Sequence, residues 1–98
     1  MTAYTFEWSD NKAESNMTKH GIDFNEAKTV FHDDYARLIP DPDSSVSEER
    51  FILIGQSVQF KTLIVCHCYR NKNESIRIIS ARKADKAERK QYEEFSHA

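Results

Sequence analysis

The chain has 98 residues, 39% of them hydrophobic and 31% charged, at a net charge of -2. That is enough apolar residue for one small core, which excludes wholesale disorder, and too short a chain to divide, so one domain over residues 1–98 is expected. The near-neutral total hides an asymmetry: residues 1 to 60 carry five Lys/Arg against eleven Asp/Glu, while residues 61 to 91 carry nine against three, a cationic stretch of the kind that phosphate or an acidic partner needs.

The first residues, MTAYTFEWSD, have neither the basic start nor the apolar centre of a secretory signal, and the longest apolar runs, FILI and LIVC, are too short to cross a bilayer. No membrane contact and a cytoplasmic location are the expectations. Thr5 to Trp8 suits a short first strand. Ser9 or Asp10 caps a helix through Ala13, Asn16 and Met17 to His20, and Gly21 ends it as the left-handed residue. Lys19 and His20 fall in its last turn, where cations favour the helix dipole and where both also qualify for a site. Asp23 with Glu26 reads as a capping box, and Phe24, Ala27, Val30 and Phe31 form an apolar stripe, so a second helix is expected to stop before Asp33.

Ala36 to Ile39 makes a short strand, and Pro40 to Ser47, with two prolines and three serines, reads as a mobile loop. Three strands follow, Phe51 to Gln56, Thr62 to Tyr69 and Ser75 to Ala81, linked by loops short enough to force antiparallel hairpins. Loops of Ser57 to Phe60 and Asn71 to Glu74 would set Gln56 opposite Lys61 and Arg70 opposite Ser75. That register puts Arg70, Cys68 and Arg77 on one face and Arg50, His67 and Tyr69 on the other, and a slip of one residue exchanges the faces. Cys66 and Cys68 share a side and read as reduced thiols; no metal site and no cofactor are expected. After Ala81 the chain passes a basic turn, Arg82 and Lys83, into an Asp85/Glu88 capping box and a helix from about Lys86 with Ala87, Gln91, Tyr92 and Phe95 inward.

Arginine holds phosphate through a planar fork of donors, which makes Arg50, Arg70, Arg77 and Arg82 candidate clamps on an RNA backbone. Cleavage by a 2′-hydroxyl also needs a base, a protonated leaving group and charge stabilisation, which His20, His67, Tyr69 and Lys19 can supply. Residue chemistry alone leads to a basic α+β domain, with a non-catalytic module that docks nucleic acid or an acidic protein as the alternative reading.

The segments FEWSDNKAESNMTKHGIDFNEAKTVFHD, DPDSSVSEERFILIGQS and IRIISARKADKAERKQYE resemble the BrnT toxin family along nearly the whole chain. The resemblance implies an α+β, RelE-like fold, with N-terminal helices packed on an antiparallel β-sheet and a C-terminal helix. It implies a metal-independent endoribonuclease of a type II toxin-antitoxin pair that cuts RNA and inhibits translation. A BrnA-type ribbon-helix-helix antitoxin would neutralise it and would alone contact operator DNA. Carried over by position, the catalytic set is Lys19, His20, Arg70, Ser80 and Arg82, and Arg50, Arg77, Lys83 and Lys86 bind RNA. Ser44 and Gln56 depart from the family pattern, which has histidine and arginine there.

Overall fold

The computed structural model describes residues 4–43 and 48–96. In chain order the elements are β1 (Thr5–Glu7), α1 (Asp10–His20), α2 (Phe24–Ala27) continued by a 3-10 helix (Lys28–His32), β2 (Arg37–Pro40), β3 (Phe51–Gln56), β4 (Thr62–Arg70), β5 (Ser75–Lys83) and α3 (Lys86–Ser96). The α+β class with a C-terminal helix is as expected; residues 44–47, which include the Ser44 departure and the second half of the proposed loop, lie outside the described residues.

The strands form one sheet in the order β1-β5-β4-β3-β2. The last four strands run antiparallel, as hairpin-length loops dictate, whereas β1 pairs with β5 in parallel, with Thr5 opposite Ser75 and Glu7 opposite Arg77. The sheet is therefore mixed. One face packs on α1, α2 and the 3-10 helix through Ile22, Phe24, Val30, Leu53, Leu63, Val65, Ile76 and Ile78. The other face is only partly covered: Tyr92 of α3 packs with Ile54, Ile64 and Ala84, and the remainder lies open.

Two local features set which side chains reach the open face. Gln56 pairs with Thr62, not Lys61, because the first hairpin loop has five residues: Ser57 N–H donates to Lys61 O at 2.8 Å and Phe60 takes a left-handed φ of 62°. The ladder between β4 and β5 then slips between Cys66 and His67, where Cys66 faces Ser80 but His67 faces Ile78. Ile79 is the extra residue of a β-bulge, and it moves Ala81 onto the side of Ile76 and Ile78. Ser80 and Arg82 consequently share the open face with Cys66, Cys68 and Arg77.

Three expectations need correction. β5 runs on to Lys83, so Arg82 belongs to a strand and pairs opposite Ile64; it is not in a turn. Glu26 does not close the capping box: Asp23 accepts from Asn25 N–H at 2.8 Å, but the Glu26 carboxylate is buried and accepts from the Ser57 hydroxyl at 2.7 Å. Of the proposed inward stripe of α3, Tyr92 alone is buried, since the helix touches the sheet over a single turn; Phe95 stays 49% exposed beneath the Arg37 guanidinium.

Gly55 fixes the approach of the helical layer to β3. A Cβ there would stand 2.7 Å from Val30 Cγ1 and 2.9 Å from Ala36 Cβ. The space lets the Asp33 carboxylate accept from Gln56 N–H at 2.7 Å and from the Tyr92 hydroxyl at 2.6 Å, which ties the helical layer to α3 across the sheet edge.

Candidate active site

Helix α1 is held at both ends by its own sequence. Ser9 caps the start, accepting from Lys12 N–H, and Gly21 at φ 70° returns its N–H to Met17 O at 2.9 Å. Its one buried residue is Asn16. Because β1 ends opposite Arg77, the outer edge of β5 has no strand partner beyond that point among the described residues. Asn16 fills part of the gap as a strand would: its Nδ2 donates to Ala81 O at 2.8 Å and to Ile22 O at 3.0 Å, and its Oδ1 accepts from Ala81 N–H at 3.0 Å.

Beside this contact α1 and β5 enclose a shallow cavity of about 240 Å³. Lys19 and His20 line it from the last turn of α1, and Ser80 with Ile79 lines it from the bulge. Three of the residues proposed for catalysis thus meet in one place, 60 residues apart in sequence. Arg82 follows Ser80 by two residues on the same strand face, roughly 7 Å along it. Arg70 is the outlier. It pairs opposite Ser75, four residues along β4 from the Cys66–Ser80 row, or about 13 Å away.

The open face carries all four arginines named from the sequence. The register of the first hairpin transfers Arg50 from the expected His67 side to the cysteine side, where its charge acts on Cys66. Every one of them rests on a carboxylate. Glu48 receives both Arg50 at 3.4 Å and Arg70 at 3.6 Å, Glu7 receives Arg77 at 2.8 Å, and Glu88 takes Arg82 in a two-point bond of 2.7 and 2.9 Å. The Glu88 bond raises the Arg82 pKa, and the same contact holds Glu88 below the usual carboxylate range against its partial burial. Lys83, opposite Leu63, alternates to the helix-covered side at the end of the sheet, and Lys86 is exposed at the start of α3.

Two further groups, the candidate His67 and the thiol of Cys66, lack the surroundings that proton transfer or attack would need. His67 is fully buried, its ring edge-on to Phe31 at 4.8 Å, and burial lowers its pKa despite the nearby Val65 carbonyl, so it is neutral at pH 7. Burial first, then the Asp41 carboxylate that accepts from its thiol, pushes Cys66 up to about 11. A protonated thiol is a poor nucleophile. Both cysteines are free, and among the described residues no three His, Cys, Asp or Glu side chains converge as metal ligands do. Sequence reading passed over Asn16, because a single polar residue inside a helix pattern carries no signal of what lies 65 positions away.

With a cationic helix end and a hydroxyl around one hollow and Arg82 next along the strand, the site has groups for moving a proton and for holding a phosphate. The family model described as "Ribonuclease toxin, BrnT, of type II toxin-antitoxin system" matches residues 8–88. No curated protein matches the chain. Among solved structures, the crystal structure of the Brucella abortus ribonuclease toxin BrnT is similar, with a TM-score of 0.66 at 22% identity, over 86% of this chain and 100% of that one. At that identity the likeness concerns the fold.

Proposed function

Because the chain belongs to the BrnT family of ribonuclease toxins of type II toxin-antitoxin systems, we propose that residues 1–98 act as one endoribonuclease domain that cuts RNA beside Ser80 and so stops translation. The observation that carries this reading is the convergence of Lys19, His20 and Ser80 on one cavity, with Arg82 next along the strand. The 2′-hydroxyl of the substrate attacks the adjacent phosphate; its proton passes to His20 or Lys19, and the departing 5′-oxygen is protonated by the other. Arg82 stabilises the charge that builds on the phosphorane, leaving Glu88 to do so, and the product keeps a 2′,3′-cyclic phosphate. No step calls on a metal. Arg70, Arg77 and Arg50 hold phosphates further along the strand, and Lys86 adds charge at the rim.

The family supports an antitoxin partner, which we assign as a ribbon-helix-helix protein of the BrnA type acting in the cytoplasm, with operator DNA contacted through it alone. Among the described residues no helix is long and apolar enough to cross a membrane. Incubating the purified chain with single-stranded RNA in EDTA tests the core of the reading. Fragments with cyclic phosphate ends, absent with His20→Ala and Arg82→Ala, are expected. RNA that is bound yet stays whole would favour the non-catalytic module instead.

A further inference from the structure

A cavity larger than the one beside α1 lies elsewhere in the molecule. A cleft of about 580 Å³ opens at the other end of the sheet, where Tyr4, Phe51 and Tyr69 meet Glu49, Arg70 and Asn73. Its size is that of sites for small ligands, which run to roughly 300–1,000 Å³. The rings of Tyr4 and Tyr69 lie 6.4 Å apart at 51°, and Phe51 meets Tyr69 edge-on at 5.4 Å. Tyr4 keeps 44% of its surface exposed, so an aromatic face stands in water where a planar ligand reaches it. Glu49 is exposed, and among the described residues it has no hydrogen bond or ion pair. Arg70, on the same rim, lies about 13 Å from the Cys66–Ser80 row.

We propose that this cleft seats one base of the RNA strand beside the cut, stacked on Tyr4 and Tyr69, and that Glu49 selects guanine. The inference rests on the ribonuclease reading and adds to it a choice of sequence. Stacking on aromatic side chains accepts any base, so selection has to come from the polar groups. A carboxylate is acceptor-only. Guanine alone places two neighbouring donors, N1–H and the N2 amino group, on its Watson–Crick edge. Adenine and cytosine set an acceptor beside their amino group, and uracil sets acceptors on both sides of its one donor. Arg70 then takes the phosphate of the seated nucleotide, exchanging its 3.6 Å contact with Glu48 for it.

Calorimetric titration of the full chain with the four nucleoside 5′-monophosphates tests the cleft without reference to cleavage. The guanine nucleotide should bind about tenfold more tightly than the others, the usual worth of one two-point base contact. Glu49→Gln should abolish that preference, since an amide offers one acceptor and one donor, a pair that every base can match on its Watson–Crick edge. Tyr69→Ala should weaken all four alike. Equal affinities, or a guanine preference that survives Glu49→Gln, overturn the base site. Sequencing the ends of cut RNA separates the two readings: guanine at a fixed distance from the cut, lost with Glu49→Gln, supports both. Uncut RNA with the nucleotide preference intact sinks the ribonuclease and leaves the base site standing; cut RNA with no preferred base does the reverse.

Discussion

Asn16 of α1 holds Ala81 of β5 by both backbone groups, donating to its carbonyl at 2.8 Å and accepting from its N–H at 3.0 Å. The side-chain amide has the donor and acceptor of a peptide, so it extends the sheet by one peptide's width where β1 has already ended. Asn16→Ala would strand both Ala81 groups and the Ile22 carbonyl, at a cost of about 2–4 kcal/mol. Urea denaturation measures it, and a shift under 0.5 kcal/mol would show that α1 is held by packing alone. A mutant that folds should also lose activity, because the cavity wall is this contact.

Gly55 gives a second stability test. Gly55→Ala forces Val30, Ala36 and Asp33 away from β3, and overpacking of that kind costs about 1–3 kcal/mol. Gly21→Ala meets no atom within 4 Å and is opposed by its φ of 70° alone, so about 1 kcal/mol is expected. A larger loss at Gly21 than at Gly55 would contradict the packing argument.

The acid limb of stability should reflect Asp33 and Glu88. Partial burial opposes the charge on Asp33, but hydrogen bonds from Tyr92 and from the N–H groups of Gln56 and Tyr35 prevail and lower its pKa; Arg82 lowers that of Glu88. A carboxylate with a depressed folded pKa contributes its full stability above its unfolded pKa of about 4, and loses it as pH falls through the folded value. Asp33→Asn should therefore flatten the decline below about pH 4 while lowering stability at pH 7. Tyr92, raised by burial and by Asp33, works at the other end: its contribution is complete below about pH 10 and fades above it. An unaltered acid limb in Asp33→Asn would remove Asp33 from this role.

On the catalytic side, Arg82→Ala should lower the cleavage rate by ~10² to 10³, the common effect of deleting one charge-stabilising donor. Arg70→Ala, some distance from Ser80, should act on binding more than on the rate of the bound complex. In a His20→Ala background that blocks cutting, Arg70→Ala and Arg82→Ala should each reduce the salt dependence of RNA affinity by about one counterion. Lys83→Ala, which alternates to the other side of the sheet, should not. Equal salt slopes for all three would mean that the open face is not where RNA lies.

Local chemistry was legible in the sequence wherever one residue decides it. Ser9, Gly21, Asp23 and the Asp85–Glu88 box mark their helix ends, and Asn71 and Asn73, which tolerate left-handed φ, mark the second hairpin, whose register is as expected. The first hairpin gave no such mark. Its left-handed position is filled by Phe60, a residue seldom found there, and the resulting shift of one pair carried Arg50 across the sheet. The bulge at Ile79 was hidden for a similar reason: three β-branched or small residues in a row fit either face. Lys19, His20, Ser80 and Arg82 could be named from sequence, but their meeting depends on that bulge and on Asn16, both products of long-range packing.

The parallel pairing of β1 with β5 makes β1 wait during synthesis for a strand about 70 residues further on. Thr5 has no sheet partner until Ser75 has been made, and the edge of β5 that Asn16 closes comes later still. Contacts of such separation are slow to form and late in synthesis. A nascent chain up to β4 therefore holds α1 and half a sheet but no hollow between Lys19 and Ser80. The hollow proposed for cleavage is assembled only after β5 has been made.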